Sequence, residues 1–127
     1  MLTLSGDSTS DPASARRFVH EALAGTVSDA VSGDLQLAAS ELVTNAVRHA
    51  LPSPVRVTVH ADGQRASVTV ESESSPNATL ADVSTWAMSP PDQVGGRGLG
   101  IVRAVCDDID VARDGTTLSI TAYRNLA

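Results

Sequence analysis

The sequence contains no lysine. All nine of its cationic side chains are arginine, set against fifteen carboxylates for a net charge of −6. Without lysine there is no P-loop, whose lysine reaches the β- and γ-phosphates. The acidic balance gives no electrostatic pull toward nucleic acid, and no basic stripe runs along the chain. Aromatics are almost absent: Phe18, Trp86 and Tyr123 are the full set. No stacking platform for bases can be built from them, and the core has to come from Val, Leu, Ile and Ala. A single cysteine, Cys106, excludes a disulfide framework and a thiolate metal site; it reads as a small buried hydrophobe. No apolar run approaches membrane-spanning length, and the first residues lack the basic and apolar regions of a leader, so a soluble, cytoplasmic protein is expected.

What is present suits one domain over 1–127, a length at which about two-thirds of the unfolded surface is buried. "SDPASARRFVHEALAG" predicts a helix capped at Ser10 or Asp11 and ended by Gly25, with Ala15, Phe18, Val19 and Ala22 inward and Arg16 and Arg17 outward. A second helix is expected from about Asp34 to Ala50, with Leu35, Ala38, Ala39, Leu42 and Ala46 at core spacing. The period then falls to two. Val55, Val57 and Val59 alternate along one strand and Val68 and Val70 along the next, joined at Asp62-Gly63, a dipeptide that favours a turn with positive φ at both central residues. Residues 73–96 are poor in periodic pattern, a length that suggests a lid, with a short helix expected at 80–87. An apolar helix after "GGRGLG" and a second hairpin at Asp114-Gly115 complete the chain. Strands gathered in hairpins with helices to cover one face argue for an α+β two-layer sandwich.

The second helix carries an unusual column. In "SELVTNAVRHA", Glu41 and Asn45 are one turn apart, with His49 a turn further on. Such a pair is often a solvated outer face, but Thr44 and Arg48 already supply a solvent side to this helix. The glycine run offers the column a partner, because glycines before a helix let amides approach an anion at the positive end of the helix dipole. A phosphate site of amides plus Arg97 is one reading; Arg97 could equally be a solvated residue of the lid. Asn45 would supply a hard oxygen for Mg²⁺, and Glu41 would orient or deprotonate an attacking hydroxyl.

With "ASELVTNAVRHA" followed at this spacing by "GGRGLGIVRAV", the chain resembles the serine-kinase anti-sigma factors (RsbW type) of the gyrase/histidine-kinase-like ATPase superfamily. The likeness runs from "DPASARRFVHEAL" through "DGTTLSITAYR". It implies a mixed, mostly antiparallel sheet with helices on one face, and ATP with Mg²⁺ as cofactors. It also implies Glu41 as catalytic base, Asn45 as magnesium ligand and His49 as the family's histidine four residues on. Gly96, Arg97, Gly98, Leu99 and Gly100 become the box that closes over the phosphates, and Thr117 a threonine near the adenine. The implied activity is phosphorylation of an anti-sigma antagonist of the STAS type by a domain that otherwise sequesters a sigma factor. No nucleic acid or membrane is a partner, and a homodimer is compatible with the likeness.

The pattern departs at "ESESSPN". The alternation of Val68 and Val70 puts Ser72 where the family has its adenine-reading Asp, with Glu71 and Glu73 facing away unless a bulge re-aims one of them. A serine accepts only a neutral hydrogen bond, a difference of about tenfold in affinity. Two readings stay open: an ATP-dependent kinase, or a module of the same fold that binds its protein partner without turning over ATP. Trp86 in the lid could plug the core or anchor a partner, and His49 suits the last carbonyls of its helix.

Overall fold

The computed structural model describes residues 2–4, 11–49, 54–73 and 96–126. Helix α1 (Asp11–Leu23) buries Ala15 and Val19 as expected, but its third inward position is Leu23, with Ala22 exposed. Gly25 follows at φ 76°, the left-handed turn that ends a helix at low cost with glycine. Helix α2 (Asp29–His49) starts five residues before the position expected from its periodicity. Ser28 explains the early start: its Oγ accepts the Val31 amide at 3.2 Å and its carbonyl the Ser32 amide at 3.0 Å, a capped first turn. That cap, with Val31 buried, offsets the cost of Gly33 inside the helix.

Strands β1 (Leu2–Leu4), β2 (Val55–Ala61), β3 (Arg65–Glu73), β4 (Asp108–Asp114) and β5 (Thr117–Asn125) form one sheet in the order β1-β2-β3-β5-β4, antiparallel at every described pairing. Helix α3 (Gly96–Val105) lies between β3 and β4 in sequence. The sheet's inner face carries Val55, Val57, Ala66, Val68, Val70, Ile120 and Ala122. These pack on α2, and α1 packs in turn on α2, giving the expected α+β sandwich with its helices on one side. The opposite face is polar: the Thr69 and Thr121 hydroxyls bond across it at 2.9 Å.

The two Asp-Gly dipeptides turn differently. Ala61 pairs with Ala66, leaving four residues between the last paired positions of β2 and β3, and Gly63 among them does not take positive φ. Asp62 Oδ1 instead accepts the amides of Gln64 at 2.7 Å and Arg65 at 3.0 Å, which suits the type I geometry of longer hairpin loops. At the other hairpin Asp114 pairs with Thr117, and Gly115 alone takes φ 62°, the two-residue type II′ arrangement. No described helix is long and apolar enough to cross a membrane.

Candidate functional site

Glu41 and Asn45 sit half-buried on α2, bordered by buried Ala38, Leu42 and Ala46. They face neither open solvent nor the dry interior, a position in which a polar group stays reachable while its surroundings are held by packing. Asp34, seven residues before Glu41, falls within about 20° of it around the helix axis, so the three polar residues form one stripe. Thr44 is half-buried as well, its hydroxyl bonded to the Ser40 carbonyl at 2.8 Å.

Helix α3 packs chiefly against α2. Gly96 is its first residue, so Gly96, Arg97, Gly98, Leu99 and Gly100 form the opening turns of the helix, where the pattern had suggested a turn ahead of it. The first four amides of a helix have no intrahelical acceptor, and glycine places no Cβ between those amides and an approaching group. An anion approaching this end would meet backbone donors, with the helix dipole in its favour. The side chains of Arg97 and Leu99, and that of His49 at the end of α2, lie outside the described residues, as do Trp86 and the lid with its expected short helix.

The strand end near the expected adenine carboxylate is unambiguous in register. β3 and β5 pair without interruption from Arg65–Asn125 to Glu73–Thr117, so no bulge re-aims a glutamate. Ser72 faces inward at 7% exposure. Both neighbouring glutamates are engaged on the other face. Glu71 meets its cross-strand partner Arg56 at 3.4 Å, and Glu73 accepts the hydroxyls of Thr116 at 2.6 Å and Thr117 at 2.9 Å. Those two hydroxyls, Thr116 first, hold the Glu73 carboxyl below its ordinary pKa. Thr117 thus turns away from the side that Ser72 faces, and the structure does not bring it together with Glu41 and Asn45.

One cluster was missed by the sequence reading. Arg124 lies on the inner face of β5, in line with Leu118, Ile120 and Ala122. Its Nη1 donates to Asp107 Oδ2 at 2.9 Å, and its Nε stands 3.0 Å from Asp34 Oδ2, close enough to pair by charge though not aligned as a hydrogen bond. Asp107 Oδ2 also accepts the Asn125 amide at 2.7 Å, and that amide with the Arg124 guanidinium lowers the Asp107 pKa. Burial foremost, then the Asp34 charge, pushes the Cys106 thiol beside them up to about 12, which disfavours the nucleophilic thiolate. The available signal was a cation in line with Leu118, Ile120 and Ala122, the apolar alternate positions of its strand.

The histidine kinase-like ATPase domain family matches the chain over residues 8–122. Among solved structures, the Acinetobacter baumannii histidine kinase AdeS is similar at 15% identity and TM-score 0.58, covering 90% of this chain and 64% of that one. The histidine kinase domain from the Erythrobacter litoralis EL346 blue-light activated histidine kinase is similar at 20% identity and TM-score 0.55, covering 91% and 63%. The chain spans less than two-thirds of either structure, and at these identities the likeness shows the fold alone. No curated protein matches the chain.

Proposed function

The chain belongs to the histidine kinase-like ATPase domain family, and from that premise we propose that it binds Mg-ATP and phosphorylates a serine or threonine of an anti-sigma antagonist. When that antagonist, of the STAS type, is unavailable, the same cytoplasmic domain holds a sigma factor inactive. The observation that carries this reading is the half-buried pair Glu41 and Asn45 on the helix against which the glycine-led α3 packs.

In this reading the ATP phosphates lie at the opening turn of α3, held by its free amides. The donor set suits magnesium. No cluster of three or more His, Cys, Asp or Glu able to cage a metal occurs among the described residues, and Mg²⁺ commonly takes one or two protein oxygens with the rest from phosphate and water. Asn45 offers such an oxygen. An ion held there would supply positive charge against that building on the phosphates. Glu41, one turn back, accepts the proton of the incoming hydroxyl. The hydroxyl oxygen bonds to the γ-phosphorus as the bond to the β–γ bridging oxygen breaks, leaving ADP and a phosphoserine or phosphothreonine.

A second reading rests on Ser72. Its inward aim, with both adjacent glutamates occupied on the other face, leaves no carboxylate of this strand end on the helix side for an adenine amine. That favours a module that binds a sigma factor or antagonist without ATP turnover. Calorimetric titration with Mg-ATP separates the two. Binding at or below millimolar concentration followed by phosphate transfer supports the kinase; no binding at millimolar concentration ends it.

A further inference from the structure

Helix α3 rests on α2 and makes no comparably extensive contact with the sheet, so what fixes it along α2 decides where its first turn falls. Two residues beyond its last turn the chain is pinned. The Asp107 amide donates to the Tyr123 carbonyl at 2.8 Å, and the Asp107 carboxylate holds Arg124. Arg124 in turn reaches Asp34 on α2. One guanidinium thus joins the exit of α3 to a defined point on α2, with β5 as its base.

Lengths then give the direction. From Asp34 back to the start of α2 there is only about 7 Å of helix, whereas from Asp34 forward to Asn45 there is about 16 Å. A ten-residue α3 is about 15 Å long. A helix of that length, pinned near Asp34 and packed along α2, has the reach to bring its first residue level with Asn45. Asp34 also shares the stripe of Glu41 and Asn45, so the pin acts on the face that carries them.

We propose that Arg124 is a positioning residue: by bridging Asp34 and Asp107 it sets the glycine-led turn of α3 beside Asn45 and Glu41. The inference rests on the Mg-ATP reading for its functional consequence, while its structural content can be tested without nucleotide.

The test uses Arg124→Met and the milder Asp34→Asn, which leaves the Arg124–Asp107 pair in place. Amide hydrogen exchange over Ile101–Val105 is expected to quicken by about tenfold in both, with α1 unchanged, and Mg-ATP affinity to fall by about tenfold. The double variant is expected to bind no more weakly than Arg124→Met alone, since both break one link. Arg124→Lys, which keeps the charge, is expected to recover part of the affinity. Unchanged exchange in α3 of the folded variants overturns the proposal, as does a lower Tm with unchanged affinity in the cold. A wild type that binds no Mg-ATP overturns the kinase reading instead, and the exchange measurement then decides the clamp alone.

Discussion

Ser72 is paired across the sheet with Leu118, and both side chains face the helix layer. The pairing puts a neutral hydroxyl where the resemblance calls for a carboxylate. Ser72→Asp is therefore expected to raise Mg-ATP affinity by about tenfold while leaving Mg-GTP unchanged, because only adenine presents an exocyclic amine there. The variant should also melt lower, since it buries a charge. Titration of both nucleotides checks this, and a folded variant with unaltered ATP affinity would remove Ser72 from the site.

Glu41 and Asn45 should separate in their effects. Asn45→Ala is expected to abolish magnesium-dependent nucleotide binding. Glu41→Ala is expected to keep binding and to slow transfer by about 10²- to 10⁴-fold, the usual contribution of a general base. Calorimetry and transfer of labelled phosphate distinguish the two, and equal affinity in wild type and Asn45→Ala would refute the division.

The Glu73 carboxyl is held low by the Thr116 and Thr117 hydroxyls, a bond made only in the folded chain. A lowered folded pKa stabilises above the unfolded value, near 4.5, and the gain is lost as pH falls through the folded one. Wild type is thus expected to lose stability from about pH 5 downward more steeply than Glu73→Gln. Urea midpoints across pH 3 to pH 7 measure the difference; parallel curves would mean the bond is absent in solution.

The two Asp-Gly turns should answer oppositely to alanine. A Cβ meets no atom within 4 Å at Gly63 or at Gly115, so only backbone conformation distinguishes them. Gly115→Ala is expected to cost about 1–2 kcal/mol because φ is positive there, and Gly63→Ala to be neutral or to stabilise by up to about 1 kcal/mol. Denaturant unfolding of each variant gives the comparison.

From α1 onward the order of the described elements was legible in the sequence because period carried it: the valines at every second position and Leu35, Ala38, Leu42 and Ala46 at helical spacing lie where those periods place them, whereas three-residue β1 is too short to show a period. The start of α2 was not, because its cap at Ser28 precedes the apolar pattern and Gly33 interrupts it. The Asp62-Gly63 turn was misread because its type depends on the length of the loop between paired residues, which the dipeptide does not encode. In the site, Glu41 and Asn45 stood out as a carboxylate and a carboxamide one turn apart beside Leu42 and Ala46. Arg124 did not, because its partners Asp34 and Asp107 lie 90 and 17 positions away and meet only in the fold.

The ladder between β3 and β5 joins remote residues throughout, Thr69 and Thr121 at its middle being 52 positions apart. The hairpin of β2 and β3 and the α1–α2 pair need only near neighbours, so they can assemble early. The central ladder must wait for the closure of a long loop, which slows the rate of folding. On a ribosome the anchoring of the third helix to the second through Arg124 therefore waits until the final described strand has emerged, and a shortened nascent chain is expected to lack the phosphate site proposed at that helix pair.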